Sequence, residues 1–431
     1  MTHRSVDVPV VARVEGEGAL HLRIEDDELT LVELEIYEPP RFFEAFLRGR
    51  QAMEVSDIVP RICGICPVAY QMSAIYGLEE LFEVEVPPGT HELRRMLYLG
   101  EWIESDMLHV HLLALPDYLG FDDAIQLAKA GYRHEVERGL GLKRLGNDIM
   151  GAIGGREIHP VSPRLGGFSK AVDPKVMGAF LPRLDAAAEQ ILEVADLVAS
   201  IEKPTLQRDA ELVSMVHPDR YAICEGSMAS TRGRAWTFAE YEDVSHEIHV
   251  AHSNALHSMF ADTETPYFLG PLARVMLNQA HLGPLALEAM RRSGLELPTL
   301  DPFASMAARV VEVALAIEEC QALVSGYGPP DPPRVEVTPR AGRAQWATEA
   351  PRGTLYHRYD VADDGEIIEA KIVPPTSQNL RHMEHDLWQF LPDMLDRPDD
   401  ELTRLAEMVV RNYDPCISCA THFLRLDVDR V

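Results

Sequence analysis

Residues 414–422 read Asp414-Pro415-Cys416-Ile417-Ser418-Cys419-Ala420-Thr421-His422, with two thiols separated by two residues and an imidazole close behind them. A second pair with the same spacing stands near the start of the chain, in Arg61-Ile62-Cys63-Gly64-Ile65-Cys66-Pro67. A Cys-x-x-Cys pair directs both sulfurs at one ion from a single tight turn, so two such pairs together supply four soft thiolates. The sequence therefore predicts a fold in which both ends of the chain meet around a soft metal ion.

The composition is strongly acidic, with 69 Asp and Glu against 40 Lys and Arg in 431 residues and a formal net charge of -29. This charge repels nucleic acid and anionic membrane surfaces, so neither is expected as a partner. No apolar run approaches the roughly 20 residues that span a bilayer, and the first residues lack the apolar core of a signal peptide. We therefore expect a cytoplasmic protein without a membrane span.

The six cysteines do not form a disulfide scaffold, because four of them belong to the two pairs. Cys224 and Cys320 stand alone in apolar surroundings and are predicted to be buried small hydrophobes. Structural zinc sites usually join pairs about 12 to 20 residues apart, whereas Cys66 and Cys416 are 350 positions apart. A large zinc-stapled binding protein stays an alternative, but this distance favours a catalytic centre in a deep, dry pocket.

A disulfide oxidoreductase is a weaker alternative, since it needs one pair on a thioredoxin-like sheet and the pattern around both pairs is helical. Apolar residues recur with helical spacing along the predicted helices, which cover residues 68–81, 91–115, 132–153, 174–201, 285–292, 303–324, 379–391 and 400–412. Alternating apolar residues predict hairpins within residues 8–37 and 354–373. The predicted fold class is α+β, mainly α, with long central helices and small antiparallel hairpins from the N- and C-terminal segments.

The same pattern predicts a single catalytic body over the whole chain. Residues 1–90 hold one hairpin and the first cysteine pair, residues 91–328 form a helical centre, and residues 329–422 hold the second hairpin and the second pair. The helix over 68–81 begins directly after the first pair, where its dipole favours thiolate over thiol. That position suits metal ligation.

The segment over residues 204–276 is harder to interpret. A strand is predicted over residues 221–224. Four histidines then fall within twelve residues, namely His246, His249, His252 and His257. Their spacing fits a metal-binding tract, yet it fits one polar face of a helix equally well, and the helix face is favoured.

Seven motifs, taken together and in this order along the chain, resemble those of the large subunit of the nickel-iron hydrogenases. They lie at residues 13–16, 48–50, 61–66, 115–118, 154–168, 349–353 and 414–422. The resemblance covers the whole chain and therefore implies the fold of that large subunit. The variant Cys66-Pro67-Val68-Ala69-Tyr70 and the short length are most similar to the cytoplasmic branch that exchanges electrons with NAD(P), which includes the sulfhydrogenase alpha subunits.

The resemblance implies that Cys63, Cys66, Cys416 and Cys419 hold nickel. Cys66 and Cys419 would also bridge to an iron that carries carbon monoxide and cyanide. Such a centre cleaves dihydrogen reversibly and heterolytically into protons and electrons. Soft sulfur suits nickel, and a terminal thiolate can act as a base as well as a ligand. Cys416 is the residue expected to act as that base.

The resemblance also assigns roles around the metals. From spacing alone Glu15 is a solvated loop acid, but it aligns with the glutamate that carries protons away from the centre. Arg352 would lie over the metal pair, with Asp117 holding its guanidinium. Thr376, after Pro375, would donate a hydrogen bond to one cyanide. Tyr70 replaces a histidine that many members have, and no role is assigned to it.

A magnesium ion is implied on the ligands Glu44, the carbonyl of Ile372, and His422. Family precursors carry a C-terminal extension that an endopeptidase removes behind this histidine after nickel-insertion factors have acted. Residues 423–431 correspond to such an extension, unless they form a terminal strand.

The remaining expectations concern electron transfer. The chain has no further cysteine cluster and no phosphate-binding glycine motif. An iron-sulfur (FeS) small subunit and diaphorase-type flavin and NAD(P) subunits are therefore expected as partners, with NAD, NADP or polysulfide as acceptor. One alternative is a hydrogen-sensing regulatory hydrogenase. Another is the related scaffold subunit of respiratory complex I, which lacks the four cysteines.

Overall fold

The computed structural model describes residues 3–421, so His422 and the predicted extension over residues 423–431 lie outside the described residues. The observed fold is the predicted one: it is α+β and mainly helical, with long central helices and small sheets. The sheets formed near both ends of the chain are antiparallel. The prediction of the fold class is confirmed.

The N-terminal segment forms a three-stranded sheet followed by three helices. Leu20, Leu22 and Ile24 alternate along the central strand and are buried, which explains why this stretch is a strand. The predicted hairpin is present, and an unpredicted strand pairs with its outer edge. The elements are β1 (His3–Val8), β2 (Gly18–Glu25), β3 (Glu28–Ile36), α1 (Phe43–Leu47), α2 (Ala52–Ile58) and α3 (Pro67–Phe82).

The centre of the chain is built on long helices that pack against one another. The elements are α4 (Thr90–Leu108), α5 (Leu115–Leu119), α6 (Ala124–Leu127), α7 (Arg133–Gly154), β4 (Pro163–Arg164), β5 (Gly167–Phe168), α8 (Pro174–Gly178), α9 (Leu181–Ser200), β6 (Leu212–Val216), β7 (Ser227–Ser230), β8 (Ala235–Trp236), α10 (Tyr241–Val244), β9 (Ser245–Ile248), β10 (His257–Phe260), β11 (Phe268–Leu269), α11 (Pro271–Asn278), α12 (Pro284–Ser293) and α13 (Ser305–Ser325). Helix α4 packs on α7 and α13, and α13 packs on α9 and α12. The helix predicted over 91–115 is shorter, because a π-helical turn over His109–Ala114 separates α4 from α5.

Two predictions for the centre are wrong. Residues 221–224 are buried but form no strand, because their backbone bonds to side chains and to a distant residue instead of a ladder: the amide of Ala222 donates to Asn278, and the carbonyl of Ile223 accepts from the amide of Glu349. The stretch with four histidines is not a helix. It forms the antiparallel pair β9 and β10 with an intervening turn, because residues 245–248 pair with residues 257–260.

The C-terminal segment repeats the plan of a three-stranded sheet followed by helices. Its elements are β12 (Gly342–Ala350), β13 (Gly353–Val361), β14 (Ile367–Val373), α14 (Pro375–Phe390), α15 (Asp399–Asn412) and α16 (Ile417–Ala420). The predicted hairpin corresponds to β13 and β14, and β12 adds an unpredicted edge strand. Pro375 occupies the first position of α14, where its missing amide hydrogen costs no helix bond.

The two terminal segments meet through direct backbone contacts. Glu15 forms a parallel bridge with Cys416, and the amide of Ile417 donates to the carbonyl of Glu15 at 2.9 Å. The amide of Arg41 donates to the carbonyl of Thr421 at 2.6 Å. The largest cluster of buried apolar residues contains residues of both terminal segments and of the central helices. Within residues 3–421, no helix is both long and apolar enough to cross a membrane.

Candidate metal centre

The four paired cysteines meet in one buried cluster. Their sulfurs all lie within 4.8 Å of one another, and each residue is at most 3% exposed. The Sγ atoms of Cys63 and Cys416 are 3.5 Å apart, and those of Cys66 and Cys419 are 3.8 Å apart. Four ligands about 2.3 Å from one ion stand roughly 3.8 Å apart, so the distances between pairs suit shared ligation. Within each pair the distances are shorter, 2.8 and 2.7 Å.

The first pair is positioned by the start of a long helix. Cys66 is the residue before α3, and the amides of Ile65 and Cys66 both donate to Cys63 Sγ, at 3.3 and 3.2 Å. The first amides of α3, from Val68 and Ala69, donate to the buried carboxylate of Glu101 at 2.6 and 3.1 Å. Glu101 therefore holds the N-terminal end of α3 in place, and the positive end of the helix dipole points at the sulfurs.

The second pair is positioned mainly by residues far away in the sequence. The amide of Cys416 donates to Thr376 Oγ1 at 2.9 Å, and the amide of Ser418 donates to Glu15 Oε2 at 3.1 Å. The guanidinium of Arg41 donates to the carbonyls of Ile62 and Ser418, one beside each cysteine pair. These side chains replace the long helix that anchors the first pair.

Glu15 lies against the thiol expected to act as the base. Its Oε2 atom is 3.0 Å from Cys416 Sγ. This close approach requires glycine at position 16, where φ is +90° and an added Cβ would lie 2.6 Å from the Cβ of Ile417. The contact implied by the resemblance is present, while its part in proton transfer stays a prediction.

The surroundings of the four cysteines lower the pKa of one thiol and raise the pKa of the other three. Burial raises the pKa of Cys66, Cys416 and Cys419, since a buried thiolate lacks hydration. For Cys63, burial is outweighed by hydrogen bonds from the other three thiols and by the charge of Arg352, which hold its pKa well below its ordinary value. A soft cation would stabilise all four thiolates, and its binding would release the remaining protons.

Arg352 occupies the buried turn between β12 and β13, and its partner differs from the predicted one. Its Nε atom donates to the carbonyl of Asp414 at 2.7 Å, and Nη2 donates to Asp414 Oδ1 at 3.1 Å. Burial raises the pKa of Asp414, although the neighbouring guanidinium opposes that change. The turn itself is held by Arg274, which donates to the carbonyls of Ala350 and Pro351.

The prediction that Asp117 holds Arg352 is wrong. The carboxylate of Asp117 accepts two hydrogen bonds from Arg411, at 2.6 and 2.8 Å, and a further one from Arg13. Both of its oxygens are thus committed to these guanidinium groups. Asp117 therefore fastens the loop that precedes Glu15 to α15.

The predicted magnesium ligands are only partly described. Glu44 and Ile372 lie together, because the amide of Ile372 donates to Glu44 Oε1 at 2.7 Å. His422, the third predicted ligand, lies outside the described residues. The predicted cyanide donor Thr376 is buried in the first turn of α14, directly behind Pro375.

Sequence reasoning missed Asp414, Glu101 and Arg41. Asp414 could have been noted, because it precedes the second pair by two positions. Glu101 and Arg41 carry no local signal, since their roles depend on where distant elements pack. Tyr70 is buried near the thiols, and within residues 3–421 its hydroxyl has no hydrogen-bond partner.

Comparisons with known proteins agree with a four-sulfur nickel-iron centre. Residues 41–135 match the profile of the family described as nickel-dependent hydrogenase. The chain is 34% identical to sulfhydrogenase 1 subunit alpha of Pyrococcus furiosus over 98% of both proteins. It is 30% identical to sulfhydrogenase 2 subunit alpha of the same organism, over 98% of this chain and 100% of that protein.

A solved NAD+-reducing nickel-iron hydrogenase in the H2-reduced state has the same fold, with a TM-score of 0.87 at 26% identity. The match covers 97% of this chain and 99% of that one. The buried donor set of four sulfurs fits the group that such proteins carry. This chain therefore belongs to the nickel-dependent hydrogenase family, as a large subunit.

Proposed function

We propose that this chain is the dihydrogen-cleaving subunit of a cytoplasmic hydrogenase whose electrons pass through an iron-sulfur small subunit toward NAD(P). The relatives named as sulfhydrogenase alpha subunits and as an NAD+-reducing enzyme support this assignment. The observation that carries it is the 3.0 Å contact between Glu15 Oε2 and Cys416 Sγ at a cluster of four buried sulfurs.

Cys63, Cys66, Cys416 and Cys419 would hold the nickel, and Cys66 and Cys419 would be shared with the iron. When bound, the nickel-iron pair supplies the redox chemistry of the reaction. The protein supplies the base: the Cys416 thiolate accepts one proton of dihydrogen, and Glu15 takes it over. The Cys416 sulfur and the Glu15 carboxylate are in direct contact, so the protein would not need to rearrange for this proton transfer.

From Glu15 the proton would continue past Ser418 toward the surface at Glu38. The amide of Ser418 is 3.1 Å from Glu15 Oε2, and its hydroxyl donates to Glu38 Oε2 at 3.0 Å. The side chain of Glu38 is 14% exposed, which opens this line of groups to solvent. The amide of Ser418 cannot relay a proton, so the transfer from Glu15 to Glu38 would run through a water molecule or through a rotation of the Ser418 hydroxyl toward Glu15.

Arg352 would provide positive charge over the centre. Its guanidinium is buried and held at two atoms by Asp414, so its orientation is fixed. A fixed guanidinium polarises a bound ligand without reorganising during the reaction. Thr376 accepts from the amide of Cys416 and would use its own hydrogen for a cyanide on iron.

The iron would carry carbon monoxide and cyanide. Glu44, the carbonyl of Ile372, and His422 would hold a magnesium ion that ties the second cysteine pair to α1 and β14. An endopeptidase would remove residues 423–431 once nickel-insertion factors have acted. The remaining 1–422 would form one catalytic body.

The electrons must leave this chain through another protein. Apart from the cluster, the chain has only Cys224 and Cys320, which are separate buried thiols and cannot hold an iron-sulfur cluster. An iron-sulfur small subunit would therefore dock near the centre, followed by diaphorase-type flavin and NAD(P) subunits. Polysulfide is the alternative acceptor, since two of the relatives that this chain matches are named sulfhydrogenases.

The proposal is tested on the purified native complex. We expect one nickel and one additional non-cluster iron per chain, infrared bands of bound carbon monoxide and cyanide, and hydrogen-dependent reduction of NAD+ or NADP+. The chain alone should not reduce NADP+. Zinc without nickel, or absence of the infrared bands, would contradict the metal assignment, whereas hydrogen binding without turnover would indicate a sensor.

A further inference from the structure

Three side chains remote in sequence from the four cysteines form a second group of metal-ligating atoms. His252 lies in the turn after β9, His257 begins β10, and Glu384 lies within α14. One nitrogen or oxygen atom from each of them falls within 4.8 Å of the others. His252 Nε2 is 2.7 Å from Glu384 Oε1, and His257 Nδ1 is 3.9 Å from Glu384 Oε2.

His257 is the informative member of the group. Its ring is fully buried, and within residues 3–421 neither ring nitrogen has a hydrogen-bond partner. A buried imidazole normally satisfies at least one nitrogen, because leaving both without a partner is unfavourable. The group therefore contains a buried donor atom aimed at a carboxylate that it does not reach.

The surroundings of His252 resemble the way proteins orient a metal-binding imidazole. Its Nε2 atom faces Glu384, while its other nitrogen, Nδ1, lies 3.8 Å from Glu33 Oε1. The Glu33 carboxylate is beyond hydrogen-bond distance, but its negative charge on the Nδ1 side favours a proton on that nitrogen, which would leave the Nε2 lone pair for a metal. Glu384 is held as well, because the amide of Leu34 donates to its Oε1 atom at 3.1 Å.

We propose that His252, His257 and Glu384 bind a divalent transition-metal ion of the zinc type. Two imidazoles and one carboxylate are a donor set that Zn²⁺ accepts, whereas Mg²⁺ prefers oxygen ligands throughout. The ion would join the turn of the β9–β10 hairpin, strand β3 and helix α14.

Two features of the site bear on access and competition. His252 is 18% exposed and lines a surface groove of about 380 Å³ that also contains the acidic side chains of Asp7, Glu33 and Glu35. This groove gives a cation a route to the buried pair. Among the described residues, two cations compete with a metal at Glu384: Arg381, 3.5 Å from its Oε2 atom, is half exposed and can turn outward, and the protonated form of His252 would have to lose its proton to the metal.

The proposed ion is independent of the nickel-iron chemistry and has a different place in the fold. Helix α14 presents Thr376 to Cys416 from its first turn and Glu384 to the histidines from its second half. A metal at Glu384 would therefore fasten the helix that supports the second cysteine pair.

The test uses the assembled complex after mild chelation, titrated with Zn²⁺. Zinc per chain is measured by elemental analysis, and its neighbours are identified by X-ray absorption at the zinc edge. We expect one zinc per chain with only nitrogen and oxygen neighbours near about 2.0–2.1 Å, without the sulfur distance of about 2.3 Å. The substitutions His252→Gln and Glu384→Gln should each weaken zinc binding by at least about tenfold.

His246→Asn is the matched control, because His246 lies on β9 of the same hairpin but outside the group of three. It should leave zinc binding unchanged. His21→Asn tests the groove, since His21 contacts both Asp7 and Glu35 at 2.8 Å, and it should also have no effect.

The proposal is overturned if no zinc with nitrogen and oxygen neighbours binds, if sulfur appears in its shell, or if only His21→Asn removes it. It is equally overturned if His252→Gln and Glu384→Gln bind zinc as the parent does. Should Glu384→Gln fail to assemble, His252→Gln decides alone, because its side chain lies at the edge of the groove. Retained nickel in all variants separates a failure here from a failure of the proposed hydrogenase function.

Discussion

The two cysteine pairs have the same spacing but are held in different ways. Cys63 and Cys66 sit at the start of the 16-residue helix α3, and the buried carboxylate of Glu101 binds the first amides of that helix. The geometry of this pair follows from a local element and one neighbour. It is accordingly the half of the centre that a sequence pattern predicts well.

Cys416 directly precedes the four-residue helix α16 and Cys419 lies within it, and this helix is too short to hold them by itself. Their positions depend on Glu15, Arg41 and Thr376, which contact this turn from other parts of the chain. The same contacts bring in the proposed proton acceptor. The proposed chemistry therefore lies at the pair whose geometry depends on tertiary contacts, and we expect substitutions there to have the larger effects.

The largest effect is expected for Cys416→Ser. A serine hydroxyl is a far weaker base than a thiolate and a poor ligand for a soft metal, so hydrogen/deuterium exchange should fall below detection. Exchange is measured with dihydrogen in deuterated water, together with the nickel content. Cys224→Ser, which changes a buried thiol outside the cluster, should keep exchange. Exchange retained by Cys416→Ser would remove this residue from the mechanism.

Arg352→Lys should have the next largest effect. Lysine keeps the charge but cannot contact both the carbonyl and the carboxylate of Asp414 as the guanidinium does. We expect exchange to drop on the order of 10²-fold, the size of effect seen when one oriented donor is removed from an active site, with nickel still bound.

Arg343→Lys is the control, because Arg343 pairs with Asp360 on the exposed end of the same sheet. It should exchange at the parent rate. If both lysine variants behave alike, the orientation of Arg352 does not matter.

Glu15→Gln should slow exchange on the order of 10²-fold while leaving nickel bound, because glutamine keeps the shape but cannot accept the proton from Cys416. The matched control is Glu17→Gln, an exposed carboxylate on the same loop. Nickel content and exchange are measured on both. An unchanged rate in Glu15→Gln would exclude this carboxylate from the proton route and leave Cys416 to exchange with solvent directly.

The first cysteine pair, which a local helix holds, could be predicted from the sequence better than the surroundings of the second pair, which distant residues hold. The meeting of the two pairs and helix α3 were predictable, since spacing and apolar periodicity are local signals. The contact of Glu15 with Cys416 followed only from resemblance to a family. It was not predictable that Asp414, and not Asp117, binds Arg352. Both carboxylates lie in or near the motifs, and only the packing of the folded chain decides which of them contacts the guanidinium.

The stretch with four histidines is a second place where the sequence pattern predicted the wrong structure. Its spacing fits a helix face, but the chain forms the hairpin of β9 and β10, because partner strands and burial override local periodicity. The edge strands β1 and β12 were missed for a related reason. Each is stabilised by pairing with one neighbour, and pairing is not visible in the sequence of either strand alone.

The smallest effect is expected from a pair of glycine substitutions that compares the two halves directly. Gly16→Ala places a side chain at a φ of +90° and within 2.6 Å of Ile417, so it should destabilise the folded chain by about 1–3 kcal/mol. Gly64→Ala, between the cysteines of the first pair, meets no atom within 4 Å and should change stability by less than about 0.5 kcal/mol.

The thermal unfolding midpoint of the chain without its partners measures both variants under the same conditions. We expect a lower midpoint for Gly16→Ala and an unchanged midpoint for Gly64→Ala if only the second cysteine pair depends on close approach of the N-terminal loop that carries Glu15 and Gly16. Equal midpoints would mean that the loop carrying Glu15 can move away from Ile417 without loss. The second pair would then be held by Arg41 and Thr376 rather than by the N-terminal loop.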